Sequence, residues 1–384
     1  MSSFLLSAES GLYPLRDTSL IYINPASYLS SANFTSVANT LSVDELNQVR
    51  FGFYVGLSSC YPRFTPDQSM FDLHSNPIYN ILPDKNPKSE DFTTITDAQA
   101  LRLQEKTEAY EKVYLFWSGG IDSTAILCAI LKNWGPHSLS KLSIVLNRFS
   151  IEENPNMYFS YVHGKLKEVS TDLFFSGEEK MSHDSLYITG DTADPLMGYV
   201  PIYKFDQMYP GLYKLPWRKN IDKLTSYFSN RSAGAGEYVI NCVIDSLNRT
   251  GIELESVYDF LWWLDFNWGY DVDVYLSLWV FHRFPENVNV KRFMENNLCL
   301  FFNSKEYQNW AMTSIGTNLR IADSADTHKI SLKRYIYDFN HDFNYFKTKI
   351  KEASTTKNTQ TKSVKRLFAI DLSYNMYYLD PHVW

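Results

Sequence analysis

Residues 113 to 124 read Val-Tyr-Leu-Phe-Trp-Ser-Gly-Gly-Ile-Asp-Ser-Thr, and this stretch decides the fold class. Val113 to Trp117 are apolar or aromatic and predict a short buried strand. Ser118 to Gly120 predict a tight turn, and the apolar residues 125 to 131 predict a helix after it. A strand, a glycine turn and a helix N-terminus together form an anion site, because the first amide groups of a helix have no intrahelical partner.

The composition of the turn indicates that the anion is a phosphate. Glycines accept unusual backbone angles and leave no Cβ in the path of an approaching phosphate. Asp122 would repel phosphates unless a hard cation such as Mg²⁺ lies between them. No Lys-Ser/Thr pair follows the second glycine, so a Walker A loop is excluded. An ordinary strand-to-helix turn with a capping Asp or Ser is the structural alternative.

The six residues of the turn resemble the fingerprint of the PP-loop ATP pyrophosphatases. This superfamily includes asparagine synthetase, GMP synthetase, argininosuccinate synthetase, NAD synthetase and several tRNA-modifying enzymes. The resemblance covers residues 110 to 350, roughly, and implies an α/β fold with a parallel-sheet core of the Rossmann-like, adenine nucleotide alpha hydrolase-like type. It also implies the residues that bind ATP, which are Ser118, Gly119, Gly120, Ile121, Asp122, Ser123, Leu146 and Gly190.

A second turn presents acidic groups after another predicted strand. Residues 187 to 199 read Tyr-Ile-Thr-Gly-Asp-Thr-Ala-Asp-Pro-Leu-Met-Gly-Tyr. Asp191 and Asp194 at the carboxyl edge of a parallel sheet could hold Mg²⁺ on a polyphosphate, although an Asx-rich turn is the alternative. The segment resembles the glycine-glutamate-glycine-alanine-aspartate-glutamate stretch of the asparagine synthetase family. Thr192 replaces a glycine of that stretch, and Pro195 replaces its second glutamate.

A third segment, residues 329 to 334, reads Lys-Ile-Ser-Leu-Lys-Arg and predicts the start of a helix that runs to about Phe339. It resembles the lysine, two intervening residues, leucine and arginine of the same family. The resemblance implies that Lys329 contacts the phosphates as pyrophosphate leaves, with Lys333 in support, whereas the alternative is a solvated basic helix end. The implied catalytic residues are thus Asp122, Asp194 and Lys329, and the implied metal ligands are Asp122 and Asp194.

Two further expectations concern the second predicted strand, residues 142 to 146, and the segment that follows it. In this superfamily the backbone at that strand end receives the adenine edge, so Leu146 or Asn147 is the implied contact. Glu153 lies where related enzymes close over the nucleotide, or it is an acid at a helix N-terminus.

We expect three regions along the chain. Residues 1 to 100 are rich in Ser, Asn, Thr and Pro, and short strands at 19–23 and 51–55 predict a mixed α/β or β-rich region without an assigned role. Residues 101 to 346 are expected to form an asparagine synthetase-like ATP pyrophosphatase domain with a largely helical C-terminal part. Residues 347 to 384 are expected to form a basic, partly flexible segment.

Alternating strands and helices predict a parallel sheet inside the middle region. The predicted helices cover residues 96–111 and 157–169, and the predicted strands after the first cover 142–146 and 185–189. The Trp-rich segment 254–281 is interpreted as a helical core, with stacking on a cofactor as the alternative.

Composition excludes several classes of protein. The chain of 384 residues is 45% hydrophobic, which is typical of a folded protein, and its net charge of −7 argues against nucleic acid as a partner. No apolar run is long enough to cross a bilayer, and no secretion signal is recognised. The four cysteines are scattered and indicate neither a zinc knuckle nor a disulfide framework. We therefore expect a cytoplasmic protein without a membrane partner.

The resemblance implies an amide-forming ligase that adenylates a substrate carboxylate for attack by ammonia or an amine, releasing AMP and pyrophosphate. ATP and Mg²⁺ are the implied cofactors, and a small-molecule or peptide carboxylate and an amine donor are the implied partners. Residues 3 to 100 show no glutaminase domain, so a separate amidotransferase is one source of the amine. A closer resemblance is to short asparagine-synthetase-like proteins encoded by some bacteriophages.

Two alternatives to this function stay open. One is a PP-loop enzyme that adenylates a nucleobase or tRNA, for which the basic stretch 347–366 would contact phosphates. The other is a non-catalytic nucleotide-binding or structural protein that retains the fold.

Overall fold

The computed structural model describes residues 4–7, 11–14, 20–23, 63, 81–88, 90–176, 178–179, 181–198, 200–230, 235–270, 289–315, 317, 329–350, 367–371 and 376–379. The predicted strand at 51–55, Tyr199 of the second turn, Trp279 of the Trp-rich segment and residues 351–366 of the basic stretch lie outside these residues.

Ten strands are described, and most of the helices lie in the middle of the chain. The strands are β1 (Phe4–Ser7), β2 (Gly11–Pro14), β3 (Leu20–Ile23), β4 (Lys112–Phe116), β5 (Leu142–Leu146), β6 (Lys167–Ser170), β7 (Ser185–Thr189), β8 (Leu298–Leu300), β9 (Leu367–Asp371) and β10 (Met376–Leu379). The α-helices are Phe92–Thr107, Ile121–Asn133, Pro136–Lys141, Arg148–Glu153, Pro155–Met157, Thr171–Ser176, Ala193–Met197, Val200–Met208, Ile221–Ser229, Ala235–Thr250, Val257–Leu264, Val290–Asn297, Lys305–Thr313, Ile330–Asn340 and Phe343–Thr348.

The central sheet has five parallel strands in the order β6-β5-β4-β7-β8. The chain adds β5 and β6 on one side of β4 and then returns to add β7 and β8 on the other side. The predicted α/β class with a parallel sheet is therefore confirmed. The strand order changes direction between β4 and β7, and in open α/β sheets this is the position where ligands bind, beyond the carboxyl ends of the strands.

Two predicted helices differ from the observed ones. The predicted start at Thr96 is wrong because the helix begins at Phe92, where the Asp91 side chain accepts a hydrogen bond from the amide of Thr94. The predicted helix 157–169 is also wrong beyond its first turns. A π-helical turn covers Tyr158–Val162, and Gly164 then takes a positive φ of 68° before the chain enters β6.

The helix Ile121–Asn133 lies at the centre of the core. It packs against the helices Phe92–Thr107 and Ile330–Asn340, and its side chains from Ala125 to Ile130 are fully buried. A helix that is apolar on every side is stable only when it is covered all round. The start of this helix, which follows the glycine turn, is therefore held firmly in place.

The Trp-rich segment is a helical core, as predicted, for its described residues. Trp262 and Trp263 are completely buried in the helix Val257–Leu264, and Trp268 is nearly so. The Trp262 indole donates to the carbonyl of Leu196 at 3.1 Å, and the Tyr258 hydroxyl donates to the carbonyl of Met197 at 2.7 Å. These two bonds fix the short helix Ala193–Met197 that follows the second turn.

The ends of the chain meet in a smaller sheet. The predicted strand at 19–23 is observed as β3, which pairs antiparallel with β9, and β9 also pairs with β10. β1 and β2 form a separate antiparallel pair. Among the described helices, none combines the length and the apolar character required to cross a bilayer.

Candidate active site

The first and second turns lie side by side at one edge of the central sheet. β4 leads into the glycine turn and β7 leads into the second turn, and these strands are parallel neighbours. The backbones approach closely, since a Cβ added to Gly190 would lie 3.1 Å from the Cβ of Asp122 and 3.2 Å from the amide nitrogen of Ser123. A larger residue at position 190 would therefore push the two turns apart.

The glycine turn is closed by its own hydroxyl groups. The amide of Gly120 donates to the hydroxyl of Ser118 at 3.2 Å, and the two serine hydroxyls of Ser118 and Ser123 lie 3.1 Å apart. The Ser118 amide also donates to the Ser123 hydroxyl at 3.1 Å. The serines therefore hold the loop shape, while Ile121 is buried and contributes only its backbone to any ligand contact.

Both the backbone conformation and the neighbouring atoms require glycine at position 119. Its φ is 79°, and a Cβ on it would lie 2.2 Å from the carbonyl oxygen of Ser150. No side chain fits at that distance. The helix Arg148–Glu153 thus closes the side of the turn that faces away from Gly190.

Lys329 joins the two turns. Its ammonium lies 2.6 and 2.5 Å from the two carboxylate oxygens of Asp122 and 2.5 Å from Oδ1 of Asp194. The lysine side chain is completely buried, whereas the two carboxylates keep 21% and 24% of their surface exposed. The three residues implied as catalytic thus meet at one point.

The lysines of the third segment are not a solvated helix end. Lys329 is completely buried and Lys333 is 1% exposed, so that alternative is wrong for both. The helix begins at Ile330 and ends at Asn340, close to the predicted bounds. Burying a lysine is costly unless it is paired, and Lys329 has two carboxylate partners.

Lys329 itself and Thr192, near the cluster, adopt left-handed backbone conformations that residues other than glycine rarely take. Thr192 has a φ of 77° and Lys329 a φ of 61°. Such a conformation costs of order 1–3 kcal/mol and persists only where the surroundings impose it. Thr192 stands where the resembled motif has a glycine, and its backbone adopts a conformation that glycine takes easily. Pro195 is buried in the first turn of the following helix, where proline is tolerated.

The carboxylate pair is compatible with Mg²⁺ after a rearrangement. Both carboxylates lie 2.5 Å from the same lysine nitrogen, so their oxygens are within about 5 Å of each other, whereas ligands of one Mg²⁺ lie at most about 4.2 Å apart. Hard carboxylate oxygens are the donors that Mg²⁺ prefers. The described residues contain no cluster of three or more His, Cys, Asp or Glu side chains placed to hold a metal, so water and phosphate oxygens would supply the other ligands.

The remaining predicted residues lie at the same edge but not in the cluster. Asp191 accepts a hydrogen bond from the Thr189 hydroxyl at 2.8 Å. Leu146 is buried at the end of β5, and its carbonyl accepts from the Thr171 hydroxyl at 3.2 Å. Asn147 caps the next helix by accepting from the amide of Ser150 at 3.1 Å. A role of Leu146 or Asn147 toward adenine stays a prediction.

The sequence interpretation missed two features near the glycine turn. Glu153 is the last residue of its helix, so the description as an N-terminal acid is wrong, and it pairs with Lys349 at 3.2 Å. Asp265 is buried beside Lys329, and burial raises the pKa of its carboxyl to about 7 although Lys329 acts to lower it. In the sequence, Asp265 stands out as the one charged residue within the apolar stretch 260–266.

No protein-family model matches the sequence and no curated protein matches it, so the interpretation of the site depends on its geometry and its sequence motifs.

Proposed function

We propose that this protein is an ATP-dependent ligase that forms AMP and pyrophosphate while activating a carboxylate for attack by an amine. The observation that carries the proposal is the buried ammonium of Lys329, 2.5 Å from both Asp122 and Asp194. It lies beside a glycine turn at the point where the strand order of the sheet reverses. A buried cation held by two acidic groups, next to an anion-binding turn, is suited to polyphosphate chemistry.

The proposed reaction has two steps. A carboxylate oxygen of the substrate attacks the α-phosphorus of ATP, the bond from that phosphorus to the bridging oxygen breaks, and pyrophosphate leaves. Ammonia or an amine then attacks the carbonyl carbon of the acyl-adenylate, AMP leaves, and the nitrogen loses a proton. Catalysis would come from positioning and from stabilising the negative charge that develops on the departing oxygen.

The residues have separate roles in this scheme. The glycine turn and the first amides of the helix Ile121–Asn133 would bind phosphate oxygens. Lys329 would exchange a carboxylate contact for the departing pyrophosphate, where a fixed cation is most useful. Asp122 and Asp194 would hold Mg²⁺, which when bound supplies charge neutralisation of the polyphosphate.

Pyrophosphate exchange tests the first step. The purified protein is incubated with MgATP, labelled pyrophosphate and pools of amino acids, small carboxylates or peptides, without ammonia or a separate amine donor. Appearance of the label in ATP that depends on one pool shows reversible adenylation. The positive pool is then supplied with ¹⁸O-labelled carboxylates, and transfer of one ¹⁸O to AMP on addition of ammonia identifies the attacking group.

Variants determine whether the right site has been identified. Asp122→Asn should lower the exchange rate by about 100-fold or more, because it disrupts the cluster that organises the phosphates. Asp222→Asn, an exposed carboxylate in the helix Ile221–Ser229, is the matched control and should exchange like the wild type. Release of ADP, or exchange that survives Asp122→Asn, would overturn the proposal. ¹⁸O-free AMP formed only with RNA would favour the nucleobase-adenylating alternative.

A further inference from the structure

A second buried ion pair lies on the other side of the glycine turn. The Lys349 ammonium is 3.2 Å from the Glu153 carboxylate, and the two side chains are 10% and 5% exposed, respectively. Glu153 belongs to the wall that closes the turn. A Cβ on Gly119 would lie 3.0 Å from the Cβ of Glu153, and a Cβ on Gly120 would lie 3.4 Å from its Oε1.

The position of Glu153 is unfavourable for a turn that receives an anion. A buried carboxylate beside bound phosphates repels them, and the repulsion is strong where water is excluded. Lys349 neutralises this carboxylate. Only the Glu153 side chain therefore separates the Lys349 ammonium from a phosphate bound in the turn.

The backbone of Lys349 is held from two directions. The Lys333 ammonium donates to the carbonyl of Lys349 at 2.9 Å, and the Lys349 amide donates to the carbonyl of Tyr345 at 2.9 Å. Lys333 is itself buried. With its backbone fixed, Lys349 can exchange one partner for another by rotating its long side chain alone.

We propose that Lys349 is a further phosphate-binding residue, released from Glu153 when the polyphosphate of ATP enters the glycine turn. The inference rests on the proposed function only so far as ATP is the ligand. Lys329 would then contact the phosphates from the side of Asp122 and Asp194, and Lys349 from the side of Glu153. Lys333 acts as a positioning residue, because it fixes the backbone of Lys349.

This role predicts opposite effects for the two members of the pair. Lys349→Gln should weaken binding of ATP and of pyrophosphate by about tenfold or more, since a charge-assisted contact is lost. Glu153→Gln should strengthen binding of both, because it removes a negative charge and leaves Lys349 to the ligand. The affinity for AMP, which has only one phosphate, should change less in both variants. A purely structural ion pair would weaken binding in both variants alike.

The experiment is calorimetric titration of the full chain with MgATP, magnesium pyrophosphate and AMP. Lys347→Gln and Glu152→Gln are the matched controls, because Lys347 is exposed two residues away and Glu152 forms an exposed pair with Arg148. If Lys349→Gln does not fold, the double variant with Glu153→Gln, which leaves no unpaired charge, replaces it. This double variant should also bind pyrophosphate more weakly than Glu153→Gln.

Failure of the inference and failure of the proposed function give different results. If the wild type binds ATP and pyrophosphate but both variants bind them unchanged, or weaken in parallel, the role of Lys349 is refuted and the ligase proposal stands. If the wild type binds neither ligand, the proposed function fails, and this inference fails with it. If ATP binds with the predicted opposite effects but no carboxylate supports exchange, Lys349 keeps its role and only the reaction is wrong.

Discussion

Removal of the Lys329 ammonium should destabilise the folded protein through repulsion between the carboxylates that it joins. In Lys329→Met, Asp122 and Asp194 keep their charges at a separation of about 5 Å, and two unit charges at that distance repel by about 3 kcal/mol at an effective dielectric constant near 20. Loss of one partner of a buried ion pair is observed to cost about 3–5 kcal/mol. We therefore expect the free energy of unfolding to fall by about 3 kcal/mol.

Urea unfolding followed by tryptophan fluorescence measures this change. The informative comparison is with the double variant Lys329→Met/Asp122→Asn, in which one of the two charges is also removed. Because the repulsion then disappears, the double variant should be more stable than Lys329→Met alone, although it carries one more substitution. Equal instability of the single and double variants would refute the electrostatic reasoning and indicate that the methylene chain of the lysine, not its charge, supports the site.

Two further predictions concern the surroundings of the cluster. Burial raises the pKa of Asp265 to about 7, so the folded state retains a proton that the unfolded state loses above its ordinary pKa of 3.8. The contribution of this carboxyl to stability is therefore complete below pH 3.8 and lost as the pH rises to about 7. The free energy of unfolding of Asp265→Asn, compared with that of the wild type, should accordingly increase by up to about 4 kcal/mol between pH 4 and pH 8. A difference between the two proteins in urea unfolding that does not vary with pH would contradict this. Gly119→Ala should lower the thermal unfolding midpoint far more than Gly164→Ala, because both glycines have positive φ but only position 119 meets a backbone oxygen, at 2.2 Å. Similar midpoints for the two variants would show that the helix behind the turn moves aside.

The first turn could be interpreted from sequence because all of its determinants are contiguous. A buried strand, two glycines and a helix start fall within residues 113 to 124, and local steric rules relate them directly to a loop shape. The neighbouring strands at 142–146 and 185–189 were predicted with the same bounds as β5 and β7. Both runs are only five residues long and end at a turn residue, Asn147 or Gly190, and such length and flanks distinguish a buried strand from a buried helix segment.

Contacts between distant positions could not be derived in this way. The bond between Lys329 and Asp122 spans 207 positions, and only the resemblance to a family pattern linked the two residues. For Glu153 the resemblance implied only a position near the nucleotide, and Lys349 taken alone resembles an ordinary surface residue. Their pairing depends on where the helices Arg148–Glu153 and Phe343–Thr348 end, and helix ends are the least predictable part of a fold.

The prediction for residues 157–169 failed for a different reason. Their apolar spacing suits a helix, but Gly164 adopts a positive φ and the chain then adds β6 to the free edge of β5. Hydrogen bonding to an existing strand outweighs a weak helical preference. The prediction was wrong because the local sequence pattern does not contain this tertiary contact.

The pairing of β3 with β9 affects how the protein is made. β9 lies between β10 and β3, so the strand Leu20–Ile23 finds its partner only when Leu367–Asp371 has been synthesised. A ribosome adds about 5–20 residues per second, so β3 would wait for tens of seconds with an unpaired edge while the central sheet can already form. Unpaired strand edges promote association with other chains. The strands β9 and β10 thus complete a sheet that β3 begins, and a nascent chain that stops before β9 leaves the edge of β3 without this partner and prone to association with other chains.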